Sequence, residues 1–217
     1  MGNVIVYGNG PVARIVYYCL RDDSSYTVRG FTVDSEMIEA DEFLGLPLVD
    51  FNEVSRHFSP DEHRMFIAVG YLQTNRLRAE RYRQAREMGY SCVSYVSSHA
   101  AVAPDLVLGE NCFVGANVVI QPTVQIGDNV TVRDQSFVGH DTIIGDHCFL
   151  AAGATIAGKV TIEPYSLLGV NATVKDGVRV GEGCIIGAGV TLLQDAQAKE
   201  VYMSRNAQRL PLSSDQI

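Results

Sequence analysis

The chain has 217 residues, 47% hydrophobic and 19% charged, a proportion that supports one large or two small globular domains with a real core. Its formal charge of -8 excludes nucleic acid and anionic membrane surfaces as main partners, because both would repel it; an anionic ligand needs locally clustered basic groups. The opening segment MGNVIVYGNGPVARIVYYCL has no basic stretch before its apolar run and is broken by glycine and arginine. It reads as neither a secretion signal nor a membrane span, so the expected location is the cytoplasm.

NVIVYGNG predicts a strand and a glycine-rich turn, PVARIVYYCLRDD a helix opened by Pro11 at a tolerated first-turn position, and YTVRGFTVD a second strand ending at Asp34. The turn Gly8 to Ala13 fits GxGxxA between a strand and a helix, with an acid about twenty residues on. In that context Gly8, Gly10 and Asp34 are candidate ligands of a phosphate or nucleotide. The plainer alternative is that the glycines only shape a tight connection and Asp34 is a solvated strand end. DEFLGLPLVDFNEVSRHFSPDEH reads as a loop-rich stretch with His57 and His63 solvated, followed by a strand, MFIAVG, and an amphipathic helix, NRLRAERYRQAREMGY. There is room for four or five strands in residues 1–96, which predicts a truncated Rossmann-like α/β domain and not a dehydrogenase.

From Val102 the period changes. Stepping by six through Leu108, Val114, Ile120 and onward to Leu192, all sixteen positions are Val, Ile or Leu. At the chain's own hydrophobic frequency this run has a chance probability on the order of a few in 10⁵, so it is a structural repeat. A helix of 3.6 residues per turn would scatter these positions around its cylinder, so residues 97–217 are expected to form an all-β solenoid. Glycine follows eight of the sixteen positions, and the residue four on is small or apolar throughout, as at Cys112, Ser136, Thr142, Cys148, Ala154, Ser166, Ala172 and Cys184. The five cysteines include no CxxC pair, so neither a disulfide framework nor a metal site is expected.

These hexads are similar to those of the left-handed parallel β-helix acyltransferases. The GNGPVA turn, the strand-end Asp34, AVGYLQTNRLR, the junction SYVSSHAAVAP and the repeats together resemble the bacterial sugar-nucleotide acetyltransferases related to the sialic acid O-acetyltransferase and the UDP-4-amino-sugar N-acetyltransferase. The resemblance implies coils of three hexads, a triangular prism, and a homotrimer with active sites between subunits. Residues 18 apart would then stack roughly 4.8 Å apart, leaving Cys112, Cys148 and Cys184 at about 9.6 Å, beyond disulfide reach. It also implies acetyl-CoA as cosubstrate and an N-terminal domain that holds the acceptor's nucleotide through Gly8, Gly10 and Asp34, with Asn75 and Arg78 in support. Two departures, Asn9-Gly10-Pro11 for the family's Gly-Gly-His and the expanded YLQT, leave UDP, dTDP and GDP all open.

Within VGHDTI, His140 followed by Asp141 resembles the family's catalytic histidine and acid. Acyl transfer to an amine needs a base for the amine's proton, and an imidazole with a pKa of about 6.5 suits that task. Asp141 would select the tautomer and steady the imidazolium, provided the chain turns between the two residues. One coil on, Gly158 would offer a backbone N–H to the developing oxyanion, and by resemblance Gly158 and Val170 contact acetyl-CoA. The family's second, cofactor-contacting histidine falls on Phe149, so His147 is expected at the surface or between subunits. Arg133 is expected to point outward, and Lys199, Arg205 and Arg209 of the tail are candidate phosphate contacts or plain solvated residues. The expected activity is N-acetylation of a nucleotide-linked 4-amino-deoxysugar for bacterial glycan assembly. O-acetylation of a sugar hydroxyl and a non-catalytic, sugar-nucleotide-binding trimeric scaffold are the alternatives; a β-helical carbonic anhydrase would need three zinc-binding histidines, a spacing absent here.

Overall fold

The computed structural model describes residues 2–205. Arg209 lies outside them. The first part is a five-stranded sheet with β1 (Gly2–Tyr7), β2 (Tyr26–Val33), β3 (Glu42–Phe43), β4 (Leu46–Asp50) and β5 (His63–Ile67) in the order β3-β4-β2-β1-β5. All neighbours pair in parallel except β3 with β4. Two of these strands sit in the stretch that reads as loop. The reversal between β3 and β4 turns through Leu44 and Gly45, both at positive φ, and no alternating pattern precedes it. His63 opens β5 and its Nδ1 lies 3.1 Å from the Ser59 carbonyl, so it is not merely solvated.

Helices α1 (Pro11–Asp22) and α3 (Arg76–Glu87) complete the layer, with a single turn α2 (Val54–His57) between them. β1 is flanked by β2 on one side and β5 on the other, so chain connections leave it in opposite directions. The crevice at the carboxyl end of such a switch point is where open α/β sheets hold ligands.

Residues 101–192 form sixteen two-residue strands that fall into three parallel sheets, with partners 18 residues apart throughout, as in Val119 with Phe137 and Phe137 with Thr155. Each residue of the sixfold apolar series is the second of its strand. From Val114 to Leu192 all are at most 4% exposed. A buried Val, Ile or Leu contributes about 1.5–3 kcal/mol relative to its exposed state, so the column of them is what closes the prism.

The corners divide the work between two positions. At Gly139 an added Cβ would stand 2.6 Å from the Ala157 carbonyl carbon and from the Gly158 nitrogen, so glycine is required by the next coil's backbone. The positive φ needed to turn the chain lies two residues later, at Asn129, Asp141, His147 and their equivalents. Inside the prism the small side chains bond the carbonyl fifteen residues on: Cys112 Sγ to Gly127 O at 3.1 Å, Ser136 Oγ to Ala151 O at 3.2 Å, Cys148 Sγ to Glu163 O at 3.2 Å. Burial pushes the Cys112 and Cys148 thiols up to about 12, which keeps them neutral interior groups, unsuited to nucleophilic or redox work.

Candidate active site

Asp141 adopts φ 57°, and this single left-handed residue brings its carboxylate beside the preceding ring. His140 Nδ1 lies 2.9 Å from Asp141 Oδ2. Thr123, one coil earlier, places its hydroxyl 2.6 Å from Asp141 Oδ1 and accepts from the Asp141 N–H at 3.0 Å, while Gln121 accepts from the His140 N–H at 2.9 Å. The Thr123 bond first and the His140 bond second hold the Asp141 carboxyl below its ordinary range. An ionised carboxylate only accepts, so the ring proton sits on Nδ1 and Nε2 presents a lone pair.

That lone pair faces Gly158. A Cβ built on Gly158 would stand 2.6 Å from His140 Nε2 and 2.8 Å from Cε1, and the coil register is held by Lys159 N–H donating to the His140 carbonyl at 2.7 Å. Among the described residues the Gly158 N–H makes no backbone hydrogen bond. Val170 is 50% exposed, but it lies at the opposite edge of the same prism face, two corners along the chain from Gly158. One chain does not bring the two together.

Gly8, Gly10 and Asp34 do converge, on a cleft of about 320 Å³ at the carboxyl ends of β1, β2 and β5. At Gly8 (φ 130°) a side chain would strike the Ala68 carbonyl at 2.9 Å and the Ala13 Cβ at 3.1 Å. Over Gly10 nothing lies within 4 Å, so its missing side chain leaves the approach to the amino end of α1 open. Arg81 Nη2 donates to Asp34 Oδ2 at 2.6 Å and its Nε to the Tyr7 hydroxyl at 2.9 Å. Burial pushes the Tyr7 phenol up to about 12, so it stays an uncharged hydroxyl.

Asn75 and Arg78 are not in this cleft, and the helical period explains why. Leu77 and Arg81, one turn apart, face the cleft and Asp34; Arg78 and Tyr82, also one turn apart, face the β-helix. The Arg78 guanidinium is 2% exposed and donates to Thr131 Oγ1 at 2.6 Å and the Cys148 carbonyl at 3.0 Å. Burial without a carboxylate partner pushes it down to about 10. It is a strut between the two parts of the chain. Asn75, fully buried at φ 65°, starts α3.

His147 also differs from expectation: it is half-buried in the seam between α3 and the β-helix, 2.9 Å from the Asn129 amide and against the Tyr82 and Tyr165 rings. Burial pushes its imidazole below the ordinary value, opposed by Asp146. Arg133 leaves the prism as expected but lies over the Phe113 ring, paired with Asp134 at 3.0 Å. Lys199 and Arg205 are exposed.

The N-terminal part packs on the sheet that carries Tyr95, Phe113, Thr131 and Phe149 and on the corner of Asn111, Asp128 and His147. His140 stands on the corner between the other two sheets, across the prism. The glycine-rich cleft and the imidazole of one chain therefore sit on opposite sides of it. Among the described residues no three or more His, Cys, Asp or Glu side chains form a metal-binding group, and no helix is long and apolar enough to cross a membrane.

A family model described as the GMPPB C-terminal domain matches residues 92–195. PerB from Caulobacter crescentus, solved with CoA and GDP-perosamine, is 31% identical over 93% of each chain with a TM-score of 0.82. A histidine-to-asparagine variant of the perosamine N-acetyltransferase from the same organism, with the same two ligands, is 30% identical over 93% of each chain with a TM-score of 0.84. The acetyltransferase domain of PglB from Neisseria gonorrhoeae, in complex with acetyl coenzyme A, is 23% identical over 92% of this chain and 94% of its own, with a TM-score of 0.82, a likeness of fold alone. No curated protein sequence matches the chain.

Proposed function

The chain belongs to the hexapeptide-repeat, left-handed β-helix acetyltransferases of sugar nucleotides, and on that footing we propose that it moves the acetyl group of acetyl-CoA to the amino group of a nucleotide-linked 4-amino-deoxysugar. The observation that carries this reading is the His140–Asp141 pair at 2.9 Å with Nε2 aimed at the bare surface of Gly158. Acetyl-CoA supplies the acyl group as a thioester. Its fit rests on Gly158, where a side chain would fill the space in front of the ring, and on the exposed Val170.

His140 Nε2 accepts the proton that the amine loses as it attacks the thioester carbonyl, Asp141 stabilises the imidazolium that forms, and the imidazolium returns that proton to the CoA sulfur as the C–S bond breaks. The Gly158 N–H points its dipole at the oxygen that gains charge, a donor commonly worth about 3 kcal/mol. Gly8, Gly10 and the amino end of α1 hold the diphosphate, and Asp34 takes a ribose hydroxyl through the oxygen that Arg81 leaves free. The two relatives solved with GDP-perosamine put a GDP-linked amino sugar ahead of the UDP- and dTDP-linked ones.

Because the cleft and His140 lie across the prism from one another, the reaction needs the cleft of one subunit beside the imidazole of the next. A second copy also sets an edge bearing Gly158 near an edge bearing Val170. This supports a homotrimer with sites between subunits.

The test follows free thiol release from acetyl-CoA with GDP-, UDP- and dTDP-linked 4-amino sugars. Release with an amino sugar, lost in His140→Ala with the assembly intact, is expected. Release with a hydroxy sugar only would turn the reading to O-acetylation, and none with any acceptor would leave a binding scaffold. Mixed assemblies of His140→Ala and Asp34→Ala chains should regain part of the activity that each lacks alone, which a site built from one chain would not do.

A further inference from the structure

Among the described residues, the nucleotide cleft is lined by four polar side chains, Tyr7, Asn9, Asp34 and Glu36, and by no lysine or arginine. Three of the four are engaged within the chain. The Tyr7 hydroxyl accepts from Arg81, the Asn9 amide donates to the Met37 carbonyl at 2.9 Å, and one Asp34 oxygen is held by Arg81. Glu36 is exposed and, among the described residues, has only the neighbouring Ser35 hydroxyl, a long contact of 3.3 Å.

The order of groups in a nucleotide decides what Glu36 meets. With the diphosphate over Gly8 and Gly10 and the ribose at Asp34, the base must lie beyond Asp34, against the turn Ser35–Met37 that closes that side of the cleft. The Met37, Val12 and Leu72 side chains line the same space and supply apolar surface for a planar ring. A carboxylate there repels phosphate and can only accept hydrogen bonds, so it selects a base by its donors.

The bases differ sharply on that criterion. Guanine presents N1–H and the N2 amino group side by side, two parallel donors that match the two oxygens of one carboxylate. Uracil and thymine present a single N3–H between two carbonyl oxygens, so the second carboxylate oxygen would meet an acceptor. Adenine sets its amino group beside an unprotonated nitrogen, with the same conflict. We infer that Glu36 reads the Watson–Crick edge of a guanine and is the residue that restricts the acceptor to GDP-linked sugars. The inference rests on the reading of this cleft as the nucleotide site.

Calorimetric titration of the full chain with GDP, IDP, UDP and dTDP tests both, since IDP keeps N1–H and lacks the amino group. A bidentate base contact discriminates by about 10–100-fold, so GDP should bind that much more tightly than UDP or dTDP, with IDP between them. Glu36→Gln replaces one acceptor with a donor, and should bring GDP to within a few-fold of UDP while UDP affinity and the melting temperature stay near wild type. Equal binding of UDP or dTDP and GDP by the wild type would overturn the inference, as would a Glu36→Gln chain that weakens all four nucleotides alike or keeps the GDP preference. If no diphosphate binds at all, the cleft assignment itself fails, an outcome distinct from loss of base preference.

Discussion

Gly139 and Gly158 stand one coil apart near the same prism corner, and alanine at each should fail in a different way. At Gly158 the added Cβ meets the far end of a side chain, His140 Nε2 at 2.6 Å, whereas ordinary contact begins near 3.4 Å. The ring must retreat by about 0.8 Å, which a half-exposed side chain does at little cost to the fold but which takes Nδ1 off its line to Asp141 and Nε2 off its line to the amine. Misplacement of a reacting group by about 1 Å costs on the order of 10²-fold in rate. At Gly139 the Cβ meets backbone on the next coil at 2.6 Å, where nothing swings aside, and the strain should cost about 1–3 kcal/mol of stability. In a chain of this size that lowers the melting temperature by roughly 2–12 °C. Thermal unfolding followed by circular dichroism, with thiol release at saturating substrates, separates the two. A Gly158→Ala chain with wild-type kcat, or one that melts as early as Gly139→Ala, would refute the placement of the ring over Gly158.

Asp141→Asn should leave the fold and its melting temperature in place and lower kcat by about 10²-fold, because the amide no longer compels the proton onto Nδ1 and Nε2 loses its lone pair; a pH–rate profile checks it. Arg78→Ala should destabilise by about 2–4 kcal/mol, since Thr131 and the Cys148 carbonyl lose a buried donor and a cavity forms, while Arg81→Met should instead raise the KM for the sugar nucleotide and leave that for acetyl-CoA unchanged. His147 is depressed by burial in the folded chain, so the unfolded chain binds the proton first as pH falls below 6.5. Its contribution to stability is present above that pH, falls as pH drops towards its folded value, and then stays level. Melting temperatures between pH 7.5 and 5 should therefore decline, and less steeply in His147→Asn.

Much of this protein was legible in one dimension. A period of six that never misses a branched or leucyl side chain admits only a solenoid, because each hexad repeats the same local problem of one apolar residue inward and one corner turned. The resemblance added the coil of 18 residues, and residues 140 and 158 followed as neighbours from arithmetic alone. The glycine-rich turn was equally local, since strand, turn and helix are consecutive in the chain. Non-local geometry decided the rest. Residues 78 and 81 are both arginines of one helix, and which of them meets Asp34 depends on how α3 rolls against two surfaces, a matter that no spacing in its sequence encodes. The burial of His147 and the separation of Gly158 from Val170 have the same origin. Repetition along the chain determines the prism and the corner that holds the imidazole. Only the packing of the first hundred residues onto one face of that prism places the glycine-rich cleft on the side away from that corner.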